Sequence, residues 1–159
     1  MVEAKHYTAG IVSLRYISDT PDILLLLKRK HHVYGLPKGH IEPGETDLQA
    51  ACRELLEESG HTPILCLGQS GWTEDISQAT PLPLFRRTKT NLAGKAKNRE
   101  TKYFVATVVQ THPIHDTKEI ERLEWLPLTL ETAERLKGRP EYDFYYRHIL
   151  PLAQMLGPS

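Results

Sequence analysis

The sequence predicts one α/β domain, and three observations carry that expectation. Several short apolar or alternating segments read as strands, a single acidic segment of helical period sits between them, and 159 residues suit one domain with a buried core. No internal repeat, linker or low-complexity stretch divides residues 1–159, so the whole chain is read as one unit.

In chain order, Tyr7 to Ile17 alternates and is rich in β-branched and aromatic residues, which predicts a strand. The turn residues Asp19-Thr20-Pro21-Asp22 lead to Asp22–Lys28, apolar enough for a strand buried on both faces, and the two form a hairpin. Lys28, Arg29, Lys30, His31 and His32 then line a loop. From Tyr34 to His40, Pro37 and Gly39 impose an irregular backbone. Asp47 to Ser59 has helical period, with Gly44 and Thr46 framing the turn before it and Gly60 as its stop. Thr62 to Gly68 reads as a strand, whereas the polar segment Trp72 to Thr80 has no clear pattern. Leu82–Thr90 and Glu100–Gln110 read as strands joined by a loop over Asn91–Arg99. Thr111–Lys118 is a loop, and the acidic Glu119–Glu124 leads into a strand through Trp125. Leu128–Leu136 is a short helix. Tyr142–Leu156 is another, with Phe144, Tyr145, His148, Ile149, Leu152 and Met155 on one face and Pro151 kinking it, before a loose tail over Gly157–Ser159.

Composition narrows the classes. A net charge of zero and a pI near 7.1 give no global field toward nucleic acid or membrane. The longest apolar run, Ile23–Leu27, is far too short to span a bilayer, and no basic-then-apolar leader opens the sequence. Cys52 and Cys66 lack metal-site spacing and read as core thiols of a reducing compartment. A cytoplasmic protein with no membrane contact and no obligate protein partner is expected.

Charge is instead concentrated locally. Gly39 to His61 holds Glu42, Glu45, Asp47, Glu54, Glu57 and Glu58 against Arg53 alone, so six minus one leaves five net negative charges. Arg86 to Lys102 holds seven cations against Glu100, a net of six positive charges. Glu54, Glu57 and Glu58 stand at i, i+3 and i+4, one helical face. Like-charge pairs there cost only about 0.2–0.5 kcal/mol each when solvated, but roughly 3 kcal/mol in a cleft of effective dielectric about 20. A divalent cation reverses that sign, and oxygen-only ligands suit Mg²⁺, with Mn²⁺ as the other candidate. Arg53 reaches Glu57 one turn on and can fix its rotamer.

Gly39, five residues, Glu45, seven residues, then Arg53-Glu54-Leu55-Leu56-Glu57-Glu58-Ser59-Gly60 resembles the Nudix box. That signature marks hydrolases of nucleoside diphosphates linked to another moiety. His61 departs from the aliphatic residue usual there. The run Pro37-Lys38-Gly39-His40, followed by Pro43-Gly44-Glu45, resembles the diadenosine tetraphosphate hydrolase branch, as does Lys102-Tyr103 before an apolar strand.

The resemblance implies an α/β/α sandwich with a mixed β-sheet. It implies that Glu54, Glu57, Glu58 and the Gly39 carbonyl hold one to three Mg²⁺ ions, with Glu119 as an extra carboxylate and Glu121 and Glu124 as alternatives to it. Glu54 is the expected general base, Arg53 fixes Glu57, and Glu45 braces the loop or Arg53. Lys38 is expected at a phosphate, His40 and Lys102 at the substrate, Tyr103 at a base, and Tyr34 either at a base or in the core. The activity implied is asymmetric cleavage of diadenosine tetraphosphate to ATP and AMP. The alternatives are a hydrolase of RNA 5′ pyrophosphate or of another nucleotide or inositol pyrophosphate, and, in another class, a sensor that binds nucleotide without cutting it.

Overall fold

The computed structural model describes residues 4–114 and 116–158; His115 of the expected loop and Ser159 of the expected tail lie outside them. Nine strands occur among the described residues: β1 (Ala4–Arg15), β2 (Asp22–Lys28), β3 (Val33–Gly35), β4 (Lys38–His40), β5 (His61–Gly68), β6 (Gly71–Thr73), β7 (Phe85–Thr90), β8 (Ala96–Gln110) and β9 (Ile120–Pro127). The helix α1 (Asp47–Ser59) lies between β4 and β5, and the short helices α2 (Leu130–Ala133) and α3 (Pro140–Phe144) follow β9.

β1 organises the sheet. It runs parallel to β8 from Ala4↔Lys97 to Leu14↔Thr107, while its other edge pairs antiparallel with β4 through Thr8–Gly10 and with β2 through Leu14 and Arg15. β9 pairs with β2, and β5 and β7 pair with β8, all antiparallel. The sheet is therefore mixed. Alternation along β1 sends Ala9 and Ile11 to one face and Val12 and Leu14 to the other. The first face packs under Ala50, Ala51 and Leu55 of α1; the second packs under Phe144, Tyr145, Ile149 and Leu152 of the C-terminal segment. The result is the α/β/α sandwich.

α1 is set by its caps. The Thr46 hydroxyl accepts from the Gln49 N–H at 3.1 Å, and the Gln49 side chain accepts from the Thr46 N–H at 2.9 Å, a reciprocal capping box. Gly60 closes the helix at φ 71°, and a β-carbon there would fall 2.0 Å from the His112 carbonyl oxygen.

Four segments differ from the sequence expectation. The stretch Tyr34–His40, expected to be irregular, pairs at both ends, as β3 on β2 and as β4 on β1, with Leu36 and Pro37 between them. β8 begins at Ala96, so Lys97 and Arg99 are strand residues and the loop shrinks to residues 91–95, because β1 and β7 supply ladders on both edges of a stretch too polar to read as strand. The C-terminal helix starts at Pro140 and changes pitch, with a π turn over Tyr145–Ile149 and a 3₁₀ turn over Leu150–Gln154. Pro151 supplies no N–H to continue an α-helical ladder there. The tail is packed rather than loose up to Pro158: the Trp72 indole donates to the Leu156 carbonyl at 3.2 Å, and Gly157 lies against the Tyr16 ring.

Candidate active site

The C-terminal half of α1 meets β4 at the edge of the sheet. Glu58, only 6% exposed, accepts the Lys38 N–H at 2.8 Å, and burial pushes its carboxyl up to about 8. Glu54 is also held above the ordinary carboxylate value, by desolvation first, against the opposing pull of Arg53. Its head group fills the space beside Gly39, where a β-carbon would stand 2.1 Å from the Glu54 carboxyl carbon. A side chain here would displace that head group.

Arg53 joins the acidic elements. It clasps Glu45 through two nitrogens at 2.8 and 3.0 Å, donates to Glu54 at 2.9 Å and to Glu57 at 3.3 Å, and reaches the His40 carbonyl at 2.8 Å. The guanidinium, followed by the Glu42 N–H, holds Glu45 below the usual carboxylate range. One cation thus links the loop before α1, the strand β4 and the acidic face of the helix.

Lys28 and Lys38 act on Glu58, and further cations gather around Lys38. Lys38 is pushed down to about 8, by burial first and then by Lys28 and Arg99. Lys28 packs its side chain over Gly35, and its charge acts on both Lys38 and Glu58. Arg87 pairs with buried Glu141 at 3.4 Å, and Arg139 holds the same carboxylate at 2.8 Å. His40 keeps an exposed ring whose edge meets His6, with centroids 6.2 Å apart. Of this group, sequence reading named Lys38 and His40 as site residues and left out Lys28, Arg87, Arg99 and His6. The parity of β7 and β8 was the available signal, hidden by reading residues 91–99 as loop.

Other expected residues stand elsewhere. Tyr103 is 0% exposed, with its ring 5.4 Å from that of Phe144 and 6.4 Å from that of Phe85, so it is a core residue here and not an open stacking face. Alternation puts Lys102 on the α1 face, where it binds Asp47 in the first helical turn and braces the helix against the sheet. Tyr34 is half-buried, its ring 5.7 Å from the Arg135 guanidinium and its hydroxyl accepting from Arg122 at 3.3 Å. Glu119 is exposed, and its main chain bonds Arg29 and Asp116. Glu121 approaches His32 at 3.6 Å, and Glu124 approaches Arg122 at 3.8 Å. His61 is buried, its Nδ1 donating to the Ser59 carbonyl at 2.8 Å and its ring edge on Trp125, which supplies a packing contact where an aliphatic residue was expected.

Among the described residues, no three His, Cys, Asp or Glu side chains close into a group able to hold a metal ion. Arg53 occupies the space among Glu45, Glu54 and Glu57. The donor chemistry nonetheless fits Mg²⁺: oxygen ligands only, two of them carboxyls that burial destabilises in the charged form.

The family described as NUDIX domain matches residues 5–148. The chain belongs to the NUDIX family. Among curated relatives of this NUDIX chain, the pig bis(5′-nucleosyl)-tetraphosphatase [asymmetrical] is 31% identical over 115 residues, covering 70% of this chain and 69% of the relative. The Caenorhabditis elegans protein of the same name is 31% identical over 121 residues, covering 76% and 78%. An 8-oxo-(d)GTP phosphatase of Mycolicibacterium smegmatis is 28% identical over 119 residues, covering 72% of this chain but 37% of that protein, so the chain spans little more than a third of that relative. Among solved structures, the MutT protein of Bacillus halodurans superposes with TM-score 0.65 at 20% identity, over 94% of this chain and 85% of that one. The family match places the chain among NUDIX hydrolases. No helix among the described residues is long and apolar enough to cross a membrane.

Proposed function

We propose that this NUDIX hydrolase cleaves dinucleoside tetraphosphates asymmetrically, converting diadenosine tetraphosphate to ATP and AMP. The observation that carries the reading is the apposition of half-buried Glu54 and buried Glu58 with Lys38 and Lys28 about β4, an arrangement suited to a polyphosphate chain lying between carboxylates and ammonium groups. The asymmetrical tetraphosphatases at 31% identity support the choice of a dinucleoside substrate.

Glu54, Glu57, Glu58 and the Gly39 carbonyl are the groups that would hold Mg²⁺. The ion, when bound, supplies charge neutralisation at the phosphates and a lowered pKa for bound water. Glu54 takes the proton from the attacking water as its oxygen bonds to phosphorus. The phosphorus–oxygen bond to the leaving nucleotide breaks, and that nucleotide departs with the electron pair. Arg53 fixes the rotamers of Glu54 and Glu57, and Glu45 fixes Arg53. Lys38 and Lys28 hold the phosphates in position.

Product analysis tests this. Incubation with diadenosine tetraphosphate should give ATP and AMP only with Mg²⁺ present. Cleavage of 8-oxo-dGTP with the dinucleotide left intact would overturn the substrate assignment while leaving the hydrolase.

A further inference from the structure

β7 lies at the margin of the sheet. Among the described residues its only ladder is the antiparallel one with β8, from Phe85↔Thr101 to Thr90↔Ala96. The Asn91 N–H donates to the Lys95 carbonyl at 3.0 Å, so this pair, the next outward in the same register, is a hydrogen-bonded one. Hydrogen-bonded and non-hydrogen-bonded pairs alternate along such a ladder. Phe85, Arg87 and Lys89 therefore direct their backbone groups at β8, whereas Arg86, Thr88 and Thr90 turn theirs away from it. No bond from these three to any other backbone occurs among the described residues. They leave an open row of donors and acceptors, the template to which a further strand adds.

The start of this edge borders a cavity of about 300 Å³ between β7 and α3, lined by Leu84, Phe85, Pro140, Phe144 and His148. Leu84 is 38% exposed beside it, while Phe85 and Phe144 are buried. A strand lying along β7 thus meets an apolar anchorage at one end. Beyond the cavity the edge becomes cationic. Arg87 faces Arg99 and Lys89 faces Lys97 across the ladder, so alternation puts four cations on the face that carries Phe85. Directly opposed like charges destabilise a β pair. Arg87 shares the buried Glu141 with Arg139, and no ion pair to Lys89, Lys97 or Arg99 occurs among the described residues.

Charge and backbone together select the occupant. A second copy pairing β7 on β7 about a two-fold axis at Thr88 would set Arg87 of each chain against Lys89 of the other, which adds repulsion to repulsion. Nucleic acid would answer the charges but has no row of amide donors and carbonyl acceptors to meet Arg86, Thr88 and Thr90. An extended acidic peptide answers both. We infer that the outer edge of β7 docks an extended acidic segment of another protein, which adds as a strand beside β7 with carboxylates opposite Arg87 and Lys89 and an apolar side chain in the cavity beside α3. Phe85, Arg87 and Lys89 stand two residues apart, so the segment carries its apolar residue and its two acidic residues at every second place. The inference is independent of what the α1 site cleaves.

The probe is a blocked, fluorescently labelled peptide of one leucine and two glutamates at every second place with threonine between them, made in both chain senses and followed by polarisation. One of the two should saturate on wild-type protein, and its binding should weaken as salt rises. The same peptide with lysine in place of glutamate should not bind. N-methylation of the peptide amide that donates to the Thr88 carbonyl should weaken binding by about tenfold, the effect of a main-chain hydrogen bond at the upper end of its net value. Thr88→Pro should weaken it similarly from the protein's side, with the melting temperature near that of wild type, because proline at an outward-facing edge position leaves the β8 ladder intact. Lys89→Glu should weaken binding several-fold. Failure of both peptides to bind wild-type protein would overturn the inference. Full binding by the N-methylated peptide would do so too, since attraction by charge alone needs no strand, and this result stands even where Thr88→Pro disturbs the arm. A single-stranded oligonucleotide of equal charge that binds as tightly as the peptide, and equally well to Thr88→Pro, would also overturn it.

Discussion

At the scale of single residues, Gly39 and Glu58 make separable predictions. A methyl group at Gly39 would collide with the end of a flexible side chain, the Glu54 carboxyl, and not with backbone. The head group can swing away at little expense to the fold, but it then leaves the position where it takes a proton. Gly39→Ala should therefore lower kcat by about a hundredfold while the melting temperature hardly changes; a large loss of stability would show that the close approach is structural. Glu58 titrates near 8, above its ordinary value, so the folded protein holds this proton more tightly than the unfolded chain does. Its contribution to stability is full below the ordinary carboxylate value and is lost as pH rises toward about 8. Lys38, lowered to about 8 from 10.5, works in the window above, where stability is regained as pH rises. Metal-free protein should show a minimum in melting temperature near pH 8. In Glu58→Gln the fall on the acid side should disappear, and an unchanged profile would remove Glu58 from this account.

At the scale of elements, α1 works because its ends are fixed. The reciprocal Thr46–Gln49 bonds hold its start, and Lys102 ties Asp47 of the first turn to the sheet. Thr46→Ala should cost about 1 kcal/mol and lower the melting temperature by about 2–4 °C, measured by thermal unfolding. No change would mean that the sheet contacts alone set the helix. The helix was legible in the sequence because its carboxylates, its capping residues and its stop all fall at fixed offsets. The β7–β8 arm was less so, because Asn98-Arg99-Glu100 carries no strand composition and becomes strand only through neighbours distant in the chain. Tyr103 was misread for a related reason. Alternation correctly put Phe104 on the opposite face, but only the C-terminal segment shows which face is roofed over.

At the scale of the molecule, the two layers of helix divide the labour differently than charge alone suggested. The acidic α1 was legible as a ligand-bearing element, while the cations opposite it come from β2, β4, β7 and β8 and could be assembled only by the sheet order. That same order governs how the protein is made. The longest parallel ladder joins Thr8 to Thr101, 93 residues later, and no hairpin can form it early. During synthesis β1 must wait with an apolar edge open until most of the chain has left the ribosome. The acidic helix is complete long before the strands that supply Arg87 and Arg99 exist, so the nascent protein passes through an interval in which Arg53, Lys28 and Lys38 alone offset its carboxylates.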